Sequence, residues 1–148
     1  MPLEKSIHLE IEIPAERAKV WKTWTTEAGV KSFFAPECKI DFRVYGEYEM
    51  YFMPDAEEGS RGGEGCKILA FQENEFLSFT WNAPPHLPNV RNQKTVVIIR
   101  LKELSERKTL VSLTHTGWGN NAEWDDAYNY FVKAWGEIVL PRLQKSFM

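Results

Sequence analysis

Four large aromatic side chains near the end of the chain, Trp124, Tyr128, Phe131 and Trp135, are separated by four, three and four residues. That spacing stacks them on one side of an α-helix. A helix so aromatic on one face needs a broad apolar surface to lie on, and the rest of the chain must provide it. The start of this helix is marked by Asn120 or Asn121, either of which suits a cap, and Asn120 with Glu123 has capping-box spacing. Glu123, Asp125 and Asp126 crowd the first turn and Lys145 lies near the far end, as the helix dipole prefers. Pro141 removes a helix hydrogen bond and predicts a kink in the last turn or two.

Upstream, the pattern changes period. In residues 6–13, Ile7, Leu9, Ile11 and Ile13 alternate with His8, Glu10 and Glu12, which predicts a half-buried strand. Pro14 ends it and suits the first turn of a helix over about 15–25, with Val20, Trp21 and Trp24 inward. A second short helix over about 26–34 carries Val30, Phe33 and Phe34. From Cys38 to residue 117 the period is mostly two. Cys38, Ile40 and Phe42 share one face, and Tyr48, Met50 and Phe52 share another after the Tyr45-Gly46 turn. Strands are expected near 64–72, 76–82, 94–103 and 108–117, with a flexible loop at 54–63 and a proline-rich loop at 83–92. Both faces of Cys66 to Phe71 are mostly apolar, so the inward face there is open.

The element order is therefore one strand, two helices, six strands and one long helix, an α+β chain whose residues 1–148 form a single domain. A seven-stranded antiparallel curved sheet with one apolar face must be covered, and only the C-terminal helix is long enough to cover it.

Composition narrows the function classes. Hydrophobic content of 43% and charged content of 26% suit a globular protein, and the 14% aromatic content favours a core of bulky rings or an apolar pocket. A net charge of −3 and pI near 5.7, with no Lys/Arg cluster, give no electrostatic basis for nucleic acid or an anionic membrane as partner. Cys38 and Cys66 are too few for a disulfide framework or a zinc site and read as reduced, packed thiols. The N-terminal Met-Pro-Leu-Glu-Lys has no apolar signal core and no stretch reaches transmembrane length, so a cytoplasmic protein is expected.

Several motifs occur in order: Pro14-Ala-Glu-Arg-Ala-Lys-Val-Trp21, Phe76-Leu-Ser-Phe-Thr-Trp81, Thr109 to Gly117, and Trp118-Gly-Asn-Asn-Ala-Glu-Trp-Asp125 leading to Trp135, Leu140 and Leu143. With this element order the chain resembles the START-like, SRPBCC or helix-grip superfamily, in the branch of the Hsp90 ATPase activator homologue C-terminal domain. The resemblance implies a long helix gripped by a curved sheet, often with a hydrophobic cavity between them. Two departures stand out: Tyr45-Gly46 replaces a common Gly-Gly pair, and Ala134 replaces a glycine that often precedes the tryptophan of the last helix. The co-chaperone role belongs to proteins with a second, Hsp90-binding domain, and nothing in this chain corresponds to that domain.

Candidate site residues follow from the two apolar faces. Tyr48, Met50, Phe52, Phe79, Trp81, Val97, Ile99 and Leu113 from the sheet, with Trp124, Tyr128, Phe131 and Trp135 from the helix, line either a ligand pocket or a filled core. His115 shares the inward face of Val111 and Leu113, as a general base or as a histidine satisfied by its neighbours. His115 and Tyr128 are the expected polar contacts to a ligand. His86 belongs to the proline-rich loop, over the cavity mouth or simply on the surface. The three histidines lack metal spacing, and no metal or cofactor is expected. Gly59-Ser-Arg-Gly-Gly-Glu-Gly65 lacks the Lys-Ser/Thr ending of a phosphate loop. The leading expectation is a binding protein for a small apolar molecule. The alternatives are an Hsp90-activator-like stress or co-chaperone accessory protein, with a chaperone as partner, and a cyclase or hydratase using His115.

Overall fold

In a computed structural model, residues 5–148 can be described. The leader-free reading of the N-terminus falls largely on residues 1–4, outside the described residues. Strand β1 (Ile7–Ile13) leads into helices α1 (Arg17–Thr25) and α2 (Glu27–Lys31). Thr26 separates the two helices, and its Oγ1 caps α2 by accepting from Gly29 N at 3.0 Å. Val20, Trp21, Trp24, Val30, Phe33 and Phe34 are all buried, as their spacing predicts.

Strands β2 (Glu37–Ile40), β3 (Tyr48–Tyr51), β4 (Ile68–Gln72) and β5 (Phe76–Trp81) follow. A one-turn helix α3 (Pro88–Arg91) then precedes β6 (Thr95–Ser105) and β7 (Lys108–Thr116). All pairings are antiparallel, in the order β1-β7-β6-β5-β4, with β2-β3 as a separate hairpin. The expected seven-stranded sheet is thus five strands plus a hairpin. The physical reason is local. The glycine-rich turns at 59–65, with Gly59, Gly62 and Gly65 at positive φ, bend the chain off the strand path, so the hairpin meets the segment before β4 through isolated bridges, Glu47 with Lys67 and Tyr51 with Gly62, rather than a ladder. The hairpin still hangs on that edge through Tyr45 N to Ile68 O, Tyr48 N to Cys66 O and Gly63 N to Met50 O. A bulge between Ile68 and Ala70, in the pairing of β4 with β5, settles the open face in this segment by shifting its parity. Ile68, opposite Phe79, and Phe71, opposite Leu77, both lie on the inward face, Ile68 fully buried and Phe71 part-exposed against Phe42 with ring centroids 4.4 Å apart.

One inward row crosses all five strands of the sheet, Ile7, His115, Val97, Phe79 and Ile68. The next row is Leu9, Leu113, Ile99 and Leu77. Against these lies the C-terminal helix, formed by α4 (Ala122–Lys133), a π-helical stretch (Ala134–Val139) and α5 (Leu140–Lys145). Asn121, not Asn120, is the cap: its Oδ1 accepts from Trp124 N at 2.9 Å, which leaves Glu123 outside a capping box. Pro141 has no N–H for the carbonyl of Glu137, and the helix answers by widening just upstream rather than by ending. Leu140 N–H reaches the carbonyl of Trp135, five residues back.

Two loops read from composition as irregular are organised. The carboxylate of Glu64 collects backbone N–H groups from Gly59, Arg61 (2.9 Å) and Gly62 (2.8 Å). Gly62 is required there, because a Cβ on it would lie 2.2 Å from Met50 O. In the proline-rich loop, Leu87 and Val90 pack with Ala83, Trp124 and Ala127 in a satellite cluster beside the main core.

Candidate functional site

The helix is fastened to the sheet by a chain of hydrogen bonds through His115. The indole Nε1–H of Trp135 donates to His115 Nδ1 at 3.0 Å. Because Nδ1 accepts, the ring proton resides on Nε2, which donates to Thr95 Oγ1 at 2.7 Å. That hydroxyl donates in turn to the Trp81 carbonyl at 3.3 Å. His115 has no exposed surface, and burial pushes its pKa down from 6.5 to about 3, so the ring is neutral at ordinary pH. Both nitrogens are engaged, and neither is left to take a substrate proton. His115 acts here as a clasp between β7 and the helix.

Beside this clasp a cavity of about 500 Å³ opens between the helix and the sheet. Phe131, Trp135 and Val139 form its floor, and Tyr130, Ala134, Ile138 and Arg142 one wall. Phe34, Phe52 and Trp81 stand opposite, with Phe34 packed against both Trp81 (5.6 Å) and Trp135 (5.7 Å). The π stretch shapes this wall. Residues four apart on an α-helix overshoot a full turn by about 40°, and a wider turn offsets the drift. The two parallel stripes, 130-134-138-142 and 131-135-139, therefore reach the same cavity.

The mouth is apolar. Phe52, Met53, Tyr130 and Ile138 are 41–63% exposed, and all four line this opening. Exposed large apolar groups are ordinary when scattered and informative when they gather at one concavity. The polar lining includes Arg61, Asn82, Arg91 and Arg142. Asn82 Nδ2 is committed to Gly62 O at 2.9 Å. Arg91 is committed to the carbonyls of Gly59, Gly62 and Ala83 and to Glu64.

The residues singled out from sequence divide into three groups. Phe52, Trp81, Phe131 and Trp135 line the cavity. Phe52 does so from beyond the end of β3, half exposed rather than on an inward strand face. Tyr48, Met50, Phe79, Val97, Ile99, Leu113 and His115 lie deeper and are packed solid. There Tyr48 donates its hydroxyl to Trp24 O at 2.6 Å. Trp124 and Tyr128 leave the site altogether. Trp124 belongs to the satellite cluster, and Tyr128 reaches Ser6 O at 3.3 Å with Lys5 over its ring. Neither expected polar contact, His115 nor Tyr128, is on the cavity wall: His115 is sealed between Trp135 and Thr95, and Tyr128 faces the residue before β1. Sequence reasoning missed Phe34, Tyr130, Ile138 and Arg142; the four-residue repeat Tyr130, Ala134, Ile138, Arg142 was the signal available.

Other candidate chemistry resolves into structure. The N–H groups of the glycine-rich loop are taken by the chain's own Glu64, so no phosphate cradle is open. Burial raises the thiol of Cys66 to about 12 and that of Cys38 to about 11, and both are free thiols. His86 is exposed against Tyr130, ring centroids 5.8 Å apart, at the edge of the mouth. Among the described residues no helix is long and apolar enough to cross a membrane, and no group of His, Cys, Asp or Glu is placed to hold a metal.

The fold has many solved counterparts. A protein of Mesorhizobium loti, MLL2253, is 18% identical with a TM-score of 0.75, covering 96% of each chain. The Aha1 dimer of Colwellia psychrerythraea is 19% identical with a TM-score of 0.75, covering 97% of this chain and 96% of that one. PFC0360w of Plasmodium falciparum, described as an HSP90 activator, is 14% identical with a TM-score of 0.70, covering 95% and 94%. At these identities the likeness concerns the helix-grip fold. No curated protein matches the sequence. The model of one family, Activator of Hsp90 ATPase homolog 1-like protein, matches residues 14–147, and the chain belongs to that family.

Proposed function

We propose that the protein binds a small, mostly apolar ligand in the cavity between its C-terminal helix and its sheet. The observation that carries this reading is the apolar mouth: Phe52, Met53, Tyr130 and Ile138 stand exposed around a cavity of about 500 Å³. Pockets for small ligands run from roughly 300 to 1,000 Å³ and are mostly apolar with a few polar groups. Burial would contribute about 25 cal/mol per Å² of apolar surface removed from water. Titration with the neutral dye Nile red tests the reading, with an Ala134→Leu variant that fills the wall. Saturable binding that Ala134→Leu abolishes is expected. Absence of binding, or binding indifferent to the variant, sinks it. Native mass spectrometry of protein purified from its own source would then identify what it carries.

A second reading, an accessory factor acting with a chaperone, draws support from the family description and from the relative described as an HSP90 activator. It requires an outer surface rather than the cavity, so capture of a purified Hsp90 should survive Ala134→Leu. An enzymatic role based on His115 is disfavoured by its two engaged ring nitrogens.

A further inference from the structure

Among the described residues, the charged side chains that line the cavity are all of one sign. Its lining holds Arg61, Arg91 and Arg142 and no carboxylate. A second hollow of about 420 Å³ adjoins it at Pro36 and Arg142 and is lined by Lys31, Arg142 and Lys145, again with no carboxylate. This runs against the chain as a whole, whose net charge is −3.

The cations differ in how far they are already used. Arg91 is consumed by three carbonyls and Glu64, and Lys31 pairs with Glu37 at 3.4 Å. Arg61 gives its Nε–H to Ala56 O at 2.9 Å and has no ion pair among the described residues. Arg142 and Lys145 have neither a side-chain hydrogen bond nor an ion pair among the described residues. Arg142 stands where the apolar cavity meets the basic hollow, one helical turn beyond Ile138. A guanidinium in that position offers a planar fork of donors to a carboxylate or phosphate whose apolar remainder enters the cavity.

Resting on the cavity reading above, we infer that the ligand is an anionic amphiphile, its acidic head held by Arg142 with Lys145 and its apolar body lying against Trp135 and Ile138. The apolar stem of Arg142 extends the cavity wall while its head stays in water, so one side chain serves both halves of such a ligand.

Decanoate and decyltrimethylammonium, kept below their micelle-forming concentrations, and decanol, kept below its solubility limit, separate charge from chain. Calorimetry on the full chain should give decanoate an affinity about tenfold above decanol, with the cation weakest; a charge-assisted contact has that size. Arg142→Gln should weaken decanoate about tenfold and leave decanol within about twofold, since only the charged contact is removed. Lys102→Gln, the same charge change on exposed β6, should alter neither. If decanol binds as well as decanoate, or Arg142→Gln affects both alike, the charge inference is overturned while the cavity reading stands. If none of the three binds, both are overturned.

Discussion

The indole N–H of Trp135 donates to the buried Nδ1 of His115 at 3.0 Å, and this contact joins the middle of the long helix to the last strand. It fixes the tautomer, sends the remaining ring proton to Thr95, and leaves no polar atom of the ring unpaired. Replacing Trp135 with Phe keeps most of the ring but strands Nδ1 in the core. A buried acceptor without a partner costs about 1–3 kcal/mol. Urea unfolding of Trp135→Phe should show a loss of that size with unchanged slope; a loss below the measurement error would mean that the clasp carries no weight.

The same histidine makes stability depend on pH. Its folded pKa, about 3, lies below the unfolded 6.5, so the unfolded chain takes up the proton first. Stability is full above pH 6.5 and is lost as pH falls toward 3. Carboxylates add their own acid sensitivity, so the informative quantity is a difference between variants. Between pH 7 and pH 5 the natural chain should lose about 2 kcal/mol more than His115→Gln, which has no imidazole to titrate. Parallel pH profiles for the two would contradict the buried neutral ring.

Gly119 precedes the helix cap, and a Cβ placed on it would lie 2.2 Å from Trp124 Nε1. Gly119→Ala must therefore push the indole out of the satellite cluster, at about 1–3 kcal/mol for overpacking. Nε1, Cδ1 and Cε2 of the indole all lie within 2.8 Å of that Cβ, and Trp124→Ala removes the whole ring. The double variant should be less destabilised than the sum of the two single ones, measured by thermal or urea unfolding in a double-mutant cycle. Strict additivity would place the strain elsewhere.

Neither thiol is poised for nucleophilic chemistry. With Cys38 raised from 9.0 to about 11, its thiolate fraction at pH 8 falls roughly a hundredfold. Cys66, raised to about 12, is lower still and fully buried. Reaction with a disulfide reagent should be slow in the native chain and fast in guanidinium. Rapid labelling of either cysteine under native conditions would show that the surrounding packing opens.

Periodicity carried the fold a long way. The alternation of Ile7 to Ile13 and the helical spacing of Phe131 and Trp135 both report burial against a single sheet, and each element was legible from its own residues. What escaped was decided between elements. The bulge at Ile68/Ala70 puts Ile68 and Phe71 on one face, yet no local pattern in a run apolar on both faces marks where a ladder slips. The carboxylate of Glu64 orders a loop whose glycines, taken alone, read as slack. The site was displaced for a related reason. The aromatic face named from sequence supplies only Phe131 and Trp135 to the cavity, and the rest of the helical wall is the stripe next to it, where Tyr130, Ile138 and Arg142 are too exposed to register as core.

The π stretch at Ala134–Val139 has a consequence for how this helix tolerates change in length. A π turn holds one residue more than the α-helical path between the same two ends. Deleting Gly136 would let the stretch relax to ordinary α geometry with Phe131 and Leu140 still in phase, whereas deleting Asn129 from α4 would turn everything beyond it by about 100°. The helix thus keeps a spare residue in the wall of the cavity, the one place where its length can vary without its ends losing their seats.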